Sequence, residues 1–327
     1  MKTLRWRTML ALAMALMIGA LAGCASKEVT PEEVFVEQLK IEYEIIEDEA
    51  VALSEAPEAP AVVLLAEPSG KLVKKTGKAM IDYSNTSDGY VMVQYTAQTS
   101  KRLKVQVKGP ATTYTYNLTA GKWETFPLSD GNGAYQVSLF ENVSGSKYAL
   151  VQSISHTVTL KDEFAPFLRP NQYVDYNVAS AAVAKAGELT EGMTDPMKKV
   201  AAVYDFVVKN LTYDTEKAAA VQSGYLPVLD SVLEAKKGIC FDYASLMTGM
   251  LRSQGVPCKL VVGYAGNAYH AWINVWSEES GWINGAIFFD GKTWQRMDPT
   301  FASSAKQSKS IMAYIGDGKN YTAKYLY

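Results

Sequence analysis

The spacing of apolar and polar residues predicts a strand-rich module in the first half of the chain. Apolar side chains alternate with polar ones at Leu103, Val105 and Val107, a period typical of half-buried strands. Turn-forming Gly, Asn and Asp residues separate the segments at the spacing expected of a β-sandwich. About six strands are predicted, at residues 79–83, 90–95, 103–107, 112–118, 135–140 and 153–160. We therefore predict an all-β, sandwich-like domain over residues 76–161.

Beyond residue 176 the period changes to three and four, which predicts helices. Asp195-Pro196 is typical of an N-cap followed by proline at the first helical position. Helices are predicted at residues 181–186, 196–211, 227–235 and 241–251. Strands are predicted at residues 258–264 and 270–276, and a hairpin at 287–289 and 294–297. A helix packed on an antiparallel sheet makes this second domain, residues 162–327, an α+β domain.

The first residues have the composition of an export signal. Lys2, Arg5 and Arg7 precede an apolar run that is too short for a comfortable membrane span. The run ends in Leu-Ala-Gly-Cys at Cys24, which resembles the lipobox of bacterial lipoproteins. That resemblance implies a signal peptide at residues 1–23, lipidation of Cys24 and anchoring to the cell membrane or outer membrane. An ordinary secretory signal with a chance cysteine is the alternative.

Residues 24–75 follow as an acidic segment with interleaved prolines, which predicts an extended stalk between the anchor and the folded part. Overall, 32 basic residues face 34 acidic ones, and no basic stripe indicates a nucleic-acid partner. The three cysteines are too few for a disulfide scaffold. A Cys240–Cys258 disulfide is possible by count, but we expect both to be free thiols.

The residues between Gly238 and Asp298 carry a thiol, an imidazole and a carboxylate, in that order. Cys240 follows a glycine and precedes helical sequence, so we expect it at a helix N-terminus, where the positive end of the dipole favours thiolate. Its N–H groups could also hold an oxyanion. His270 and Asp298 lie at the ends of predicted strands that could stand side by side. A nucleophilic thiol needs such a base and an orienting acid.

These residues resemble the transglutaminase-like superfamily of papain-like cysteine enzymes, over roughly residues 170–327. The matching motifs are Gly238-x-Cys240-x-Asp242-Tyr243-Ala244, Val262-Gly263-Tyr264, His270-Ala271-Trp272 and Asp298-Pro299-Thr300. The resemblance implies that Cys240 is the nucleophile, His270 the general base and Asp298 the acid that orients the imidazole. It also implies a thioester intermediate formed from a protein or peptide amide, released by water or by an amine. Tyr213 resembles a family aromatic and is a candidate oxyanion partner.

Other residue types support plainer interpretations. His156, in a predicted strand, has no acid or thiol beside it and is expected to be a strand residue. Cys258 is expected to be structural, and the tryptophans at 272, 282 and 294 to belong to the core or the cleft wall. A zinc site of Cys240, His270 and Asp298 is possible by ligand type, but we predict no metal and no cofactor.

Two functions of different classes remain open from the sequence. The first is a surface-anchored cysteine hydrolase or acyltransferase, that is, a protease, an amidase or a transglutaminase-type enzyme. The second is a non-catalytic binding or structural envelope lipoprotein with an idle site. The motifs do not separate hydrolysis from transamidation, because both share the acylation half of the reaction. They also leave the oligomeric state open.

Overall fold

The structure is a computed structural model of the chain. It describes residues 63–278, 281–284, 287–289, 294–296 and 321–327. Outside these residues lie the predicted signal peptide, Cys24, most of the predicted stalk and Asp298. Within the described part, no helix is both long and apolar enough to span a bilayer.

Two four-stranded antiparallel sheets form the N-terminal domain. The first has the order β1-β2-β3-β6 and consists of β1 Val73–Lys75, β2 Ala79–Asp82, β3 Tyr90–Tyr95 and β6 Glu124–Pro127. The second has the order β5-β4-β7-β8 and consists of β4 Leu103–Lys108, β5 Thr113–Leu118, β7 Gly133–Ser144 and β8 Lys147–Val158. Alternate residues such as Val105 and Val107 are fully buried, as their spacing predicts. The sandwich-like, all-β prediction is therefore confirmed.

The domain contains two strands that the apolar pattern did not indicate. β1 reads Val-Lys-Lys and is exposed throughout, so it has no alternation to detect. β6 is only four residues long, ends in Pro127 and forms the edge of the first sheet, where a proline is tolerated. β7 extends beyond both of its predicted ends, whereas β8 begins earlier than predicted, at Lys147, and ends earlier, at Val158; the two strands meet in a long hairpin near Gly145.

The described residues of the C-terminal domain form five helices and a second set of strands. The helices are α1 Ala181–Leu189, α2 Pro196–Asn210, α3 Thr215–Ala220, α4 Leu229–Ala235 and α5 Cys240–Ser253. One antiparallel sheet has the order β13-β12-β11-β16 and consists of β11 Cys258–Ala265, β12 Ala268–Ser277, β13 Gly281–Asn284 and β16 Tyr321–Leu326. The domain also contains two separate pairs of short strands. One is parallel and joins β9 Thr212–Tyr213 to β10 Lys237–Gly238; the other is antiparallel and joins β14 Ile287–Phe289 to β15 Trp294–Arg296.

The helix starts and the hairpin follow from local sequence. The Asp195 carboxylate accepts a 2.7 Å hydrogen bond from the Met197 N–H, and Pro196 occupies the first helical position of α2. The predicted hairpin forms between β14 and β15. α3 was not predicted, because it is six residues long and buries none of them.

Helix α5 is the centre of the C-terminal domain. Leu246, Met247, Met250 and Leu251 are fully buried, and the helix packs against β11, β12, α1, α2 and α4. This is the predicted α+β arrangement of a helix on an antiparallel sheet, and it is confirmed.

An aromatic cluster joins the two domains. Tyr116 of β5 packs against Tyr173, with ring centroids 5.6 Å apart, and against Tyr327, at 5.8 Å. Tyr173 in turn lies 4.6 Å from Tyr327 and 5.5 Å from Phe241, the second residue of α5. Because these rings are mostly buried, the sandwich is held directly against the N-terminus of α5.

Candidate active site

Cys240 is the first residue of α5, as its position after Gly238 predicts. The preceding residues belong to β10, which pairs in parallel with β9 so that Gly238 lies opposite Tyr213. The Asp214 N–H also donates a 2.8 Å hydrogen bond to the Gly238 carbonyl. These main-chain hydrogen bonds fix the position of Gly238, two residues before Cys240, and so position the start of α5.

The Asp242 side chain completes the N-terminus of α5. Its Oδ2 accepts a 2.8 Å hydrogen bond from the N–H of Ile239, the residue before the helix, so that this N–H has a hydrogen-bond acceptor. A Cβ on Gly238 would lie 2.6 Å from the Asp242 Cβ, well inside contact distance. The Gly-x-Cys-x-Asp motif therefore has a packing reason: the glycine leaves room for the carboxylate that caps the helix.

His270 lies on β12, directly opposite Gly263 of β11. The strand begins at Ala268, two residues before the predicted start at His270, and Ala268 pairs with Ala265 directly across the β11–β12 turn. A Cβ on Gly263 would lie 2.1 Å from the Thr322 carbonyl oxygen of β16, whose pairing with β11 is irregular at this point. Glycine is required at position 263 because β16 passes too close to β11 there to leave room for a side chain.

Cys240 and His270 line the same cavity, whose volume is about 590 Å³. Tyr213, the candidate oxyanion partner, lines it as well. Its walls are rich in tyrosine, and all of these residues belong to the C-terminal domain: Tyr173, Tyr213, Tyr225, Tyr269, Tyr325 and Tyr327. No tryptophan is among the described residues that line it. The described residues thus leave a cavity beside the thiol and the imidazole.

His156 and Cys258, which were predicted to have no catalytic role, do not line this cavity. His156 is in β8, and its ring centroid is 5.4 Å from that of Tyr83. Cys258 is fully buried at the start of β11, 3.5 Å from the Thr248 hydroxyl, and burial raises the pKa of its thiol to about 11. Both Cys240 and Cys258 are free thiols.

The predicted aromatic residues have different surroundings. Trp272 is buried and stacks on His270, with ring centroids 6.2 Å apart and planes at 23°. Trp282 lies against Lys259, whose Nζ is 3.5 Å from the ring centroid, and donates its indole N–H to Glu163. Burial lowers the pKa of Lys259 to about 8. The side chain of Trp294 lies outside the described ones.

The structure adds two residues that the sequence did not single out. Lys217 of α3 and Tyr225 both donate to the fully buried Asp242 carboxylate, at 2.7 Å and 2.5 Å. Burial lowers the pKa of Lys217, but its bonds to Asp242 and Tyr225 outweigh burial and raise that pKa overall. Burial, with Asp242 next, raises the pKa of Tyr225. The available signal was Asp242 itself, an acid at the third position of a buried helix.

Comparison with known proteins connects this domain to described families. A family model described as the transglutaminase-like superfamily matches residues 183–299. Over 118 residues, 32% of this chain, it is 30% identical to a protein-glutamine gamma-glutamyltransferase of Pseudomonas aeruginosa. Over 115 residues, 29% of this chain, it is 30% identical to the uncharacterized protein YebA of Bacillus subtilis. The matched parts span 17% and 16% of those two proteins.

Among solved structures, the periplasmic domain of TgpA from Pseudomonas aeruginosa, bound to ethylmercury, is 19% identical, with a TM-score of 0.32. That comparison covers 71% of this chain and 75% of the TgpA chain. The matched family model includes α5, β11 and β12, and with them Cys240 and His270. The family model thus supports a transglutaminase-like domain at residues 183–299 of this chain.

Proposed function

We propose that this protein is a cysteine-dependent acyl-transfer enzyme that acts on protein or peptide amides. The observation that carries the proposal is the shared cavity: Cys240 at the start of α5 and His270 on β12 both line it. A thiol at a helix N-terminus beside an imidazole is the arrangement that nucleophilic acyl transfer requires.

The acylation step uses the helix terminus as well as the two side chains. Cys240 Sγ attacks the amide carbonyl carbon as the thiolate, so a C–S bond forms and the carbonyl oxygen takes the electron pair. The N–H groups of the first turn of α5 have no acceptor within the helix and can stabilise that oxyanion, as can the helix dipole. The C–N bond then breaks, and His270 passes the proton taken from the thiol to the leaving amine.

Deacylation releases the thioester. Water or a primary amine attacks the thioester carbonyl, His270 accepts the attacker's proton, and the C–S bond breaks to restore the thiol. In this proposal Asp298 orients His270, and Tyr213 donates to the oxyanion. Attack by water gives hydrolysis, whereas attack by an amine gives a transamidated product.

The proposal is tested by trapping the acyl-enzyme. The mature chain is incubated with a library of glutamine-containing peptides and a fluorescent primary amine, and mass spectrometry follows both Cys240 and the products. We expect a hydroxylamine-sensitive adduct on Cys240, none with Cys240→Ala, and a rate about a thousandfold lower with His270→Gln. Unchanged turnover in Cys240→Ala would overturn the proposal. The absence of any adduct in the wild type would favour the non-catalytic lipoprotein instead.

The position of the protein in the cell is a separate proposal. We propose that Cys24 carries the lipid and that the chain works on the extracytoplasmic side of a membrane. The support is the basic, apolar and lipobox-like order of the first 24 residues. Cys24→Ser should move the protein from the membrane fraction to the soluble one and remove the acyl mass from its N-terminal peptide. Retention in the membrane fraction by the variant would contradict this assignment.

A further inference from the structure

Strand β5 of the sandwich domain is the edge strand of its sheet, and it borders the catalytic cavity. Its side chains alternate: Tyr114, Tyr116 and Leu118 are buried, whereas Thr113, Thr115 and Asn117 are exposed. One of the exposed residues, Thr115, lines the cavity that also contains Cys240. The sandwich domain thus contributes one residue, Thr115, to the lining of the proposed active site.

The direction of the β5 main-chain groups follows from its turn with β4. The Gly109 N–H donates a 2.9 Å hydrogen bond to the Thr112 carbonyl, so these two residues form a hydrogen-bonded pair. Bonded and non-bonded pairs alternate along an antiparallel ladder. Counting from Thr112, the N–H and C=O of Tyr114 face β4, and those of Thr115 face away from it.

Two contacts at the far end of the strand confirm this direction independently. The Asn117 carbonyl accepts a 2.5 Å hydrogen bond from Gln172 Nε2, a residue that lies outside the sheet. The Thr119 N–H donates to Glu124 Oε1 at 3.0 Å. Both residues have the same parity as Thr115, and both direct their main-chain groups away from β4.

Thr115 therefore presents an N–H and a C=O at the open edge of the sheet, beside the cavity. Within the described part of the chain, neither group has a main-chain partner outside the sheet. An exposed edge of this kind pairs readily with an extended chain. Proteins use such edges to bind peptides by strand addition, in which main-chain hydrogen bonds supply affinity without regard to side-chain identity.

We propose that the edge of β5 at Thr115 binds the backbone of an extended peptide, which is the acyl donor for Cys240. The occupant is inferred from continuity: the edge and the thiol line one cavity, so a strand paired with Thr115 leads into the catalytic site. The inference rests on the proposed function and deepens it. It assigns the substrate class as an unfolded or extended polypeptide segment, and it gives the sandwich domain a role in selecting it.

The test removes one N–H from the edge and leaves the rest of the strand intact. Thr115→Pro deletes the outward N–H, and proline is tolerated on an edge strand when its nitrogen faces away from the ladder. Thr115→Val is the matched control, because it keeps the N–H and a similar volume. Thr113→Pro is a second control for folding, since it makes the same backbone change at a residue that does not line the cavity.

The readout separates peptide binding from the thiol's own reactivity. For a nonapeptide with a central glutamine flanked by alternating valine and threonine, we expect Thr115→Pro to raise KM about tenfold. Thr115→Val keeps the N–H and should therefore change KM far less than Thr115→Pro does, and iodoacetamide should alkylate Cys240 at the same rate in all the variants. An unchanged KM in Thr115→Pro would overturn the inference and leave acyl transfer itself intact.

Hydrogen exchange gives a second measurement that needs no turnover. In Cys240→Ala, saturating nonapeptide should slow exchange at the Thr115 amide about tenfold or more, while exchange at Tyr116 stays as it was. No slowing at Thr115 would overturn the inference. A Thr115 amide already protected in the free protein would also overturn it, because the chain itself or a second copy then occupies the edge. Slowing without any acyl-enzyme in the wild type would support the edge site and reject the proposed chemistry.

Discussion

Lys217 Nζ lies 2.7 Å from Asp242 Oδ2, and this ion pair connects α3 to the helix that begins with the candidate nucleophile. The Asp242 carboxylate is fully buried, whereas the Lys217 side chain is 29% exposed. Tyr225 and the Ile239 N–H supply the other donors to the carboxylate. Tyr225, which lines the cavity, is thus bonded to the first turn of α5.

Loss of the lysine should leave a buried charge with too few donors. We expect Lys217→Met to lower the free energy of unfolding by about 2 kcal/mol. This is less than the cost of leaving a buried carboxylate without any donor, because Tyr225 and Ile239 still donate to Asp242. Urea denaturation measures this. Lys209→Met is the matched control: the Lys209–Asp205 pair is exposed on α2, and its loss should cost less than about 0.5 kcal/mol. Equal losses in the two variants would contradict the role assigned to Asp242.

Gly238→Ala should displace the start of α5. Its Cβ would meet the Asp242 Cβ at 2.6 Å, so we expect a loss of about 2 kcal/mol of stability and slower alkylation of Cys240. Gly187→Ala in α1 is the control. Nothing lies within 4 Å of its added Cβ, and alanine should stabilise that helix by about 0.5–1 kcal/mol. Thermal unfolding measures the stability of both variants, and timed iodoacetamide labelling measures the alkylation rate of Cys240. Unchanged stability and labelling in Gly238→Ala would show that the helix start can shift without cost.

Arg252 should not be replaceable by lysine. Its guanidinium is 1% exposed and donates to the main-chain oxygens of Cys258, Arg169 and Tyr327, at 2.9, 2.7 and 2.6 Å. A lysine ammonium lacks the planar fork that reaches three acceptors in different directions. We expect Arg252→Lys to cost about 3 kcal/mol of stability, measured in urea. Amide exchange at Leu260, which pairs with Tyr327, should quicken in parallel, and a cost below about 1 kcal/mol would refute the assignment.

The two thiols should differ in reactivity and in their effect on alkaline stability. At pH 8 iodoacetamide should modify Cys240 about a thousandfold faster than Cys258, because Cys258 is buried and its pKa is raised to about 11. Peptide mass spectrometry measures the two rates, and comparable rates would disprove the difference.

The same raised pKa affects folding at high pH. The unfolded Cys258 thiol, with a pKa near 9.0, ionises before the folded one, so its contribution to stability is complete below pH 9 and is lost between pH 9 and 11. Cys258→Ala should flatten the stability curve in that window. An identical slope in the variant would assign the alkaline loss to other groups.

The sequence determined the elements whose signals are local. Strand alternation, the Asp195 N-cap and the apolar face of α5 were sufficient to predict a sandwich followed by an α+β domain. The position of Cys240 at a helix start also followed from its neighbours. Short or exposed elements such as β1 and α3 were not predicted, because they bury too little apolar surface to leave a periodic pattern.

Tertiary structure decided which distant residues share a site. Nothing local pairs Lys217 with Asp242, or places Thr115, more than a hundred residues upstream, on the wall of the cavity that contains Cys240. The placement of Thr115 depends on the aromatic cluster that holds β5 against α5. Such packing depends on shape complementarity between domains, which no spacing along one chain encodes. The sequence therefore predicted the candidate nucleophile and base, whereas only the tertiary structure showed which residues surround them.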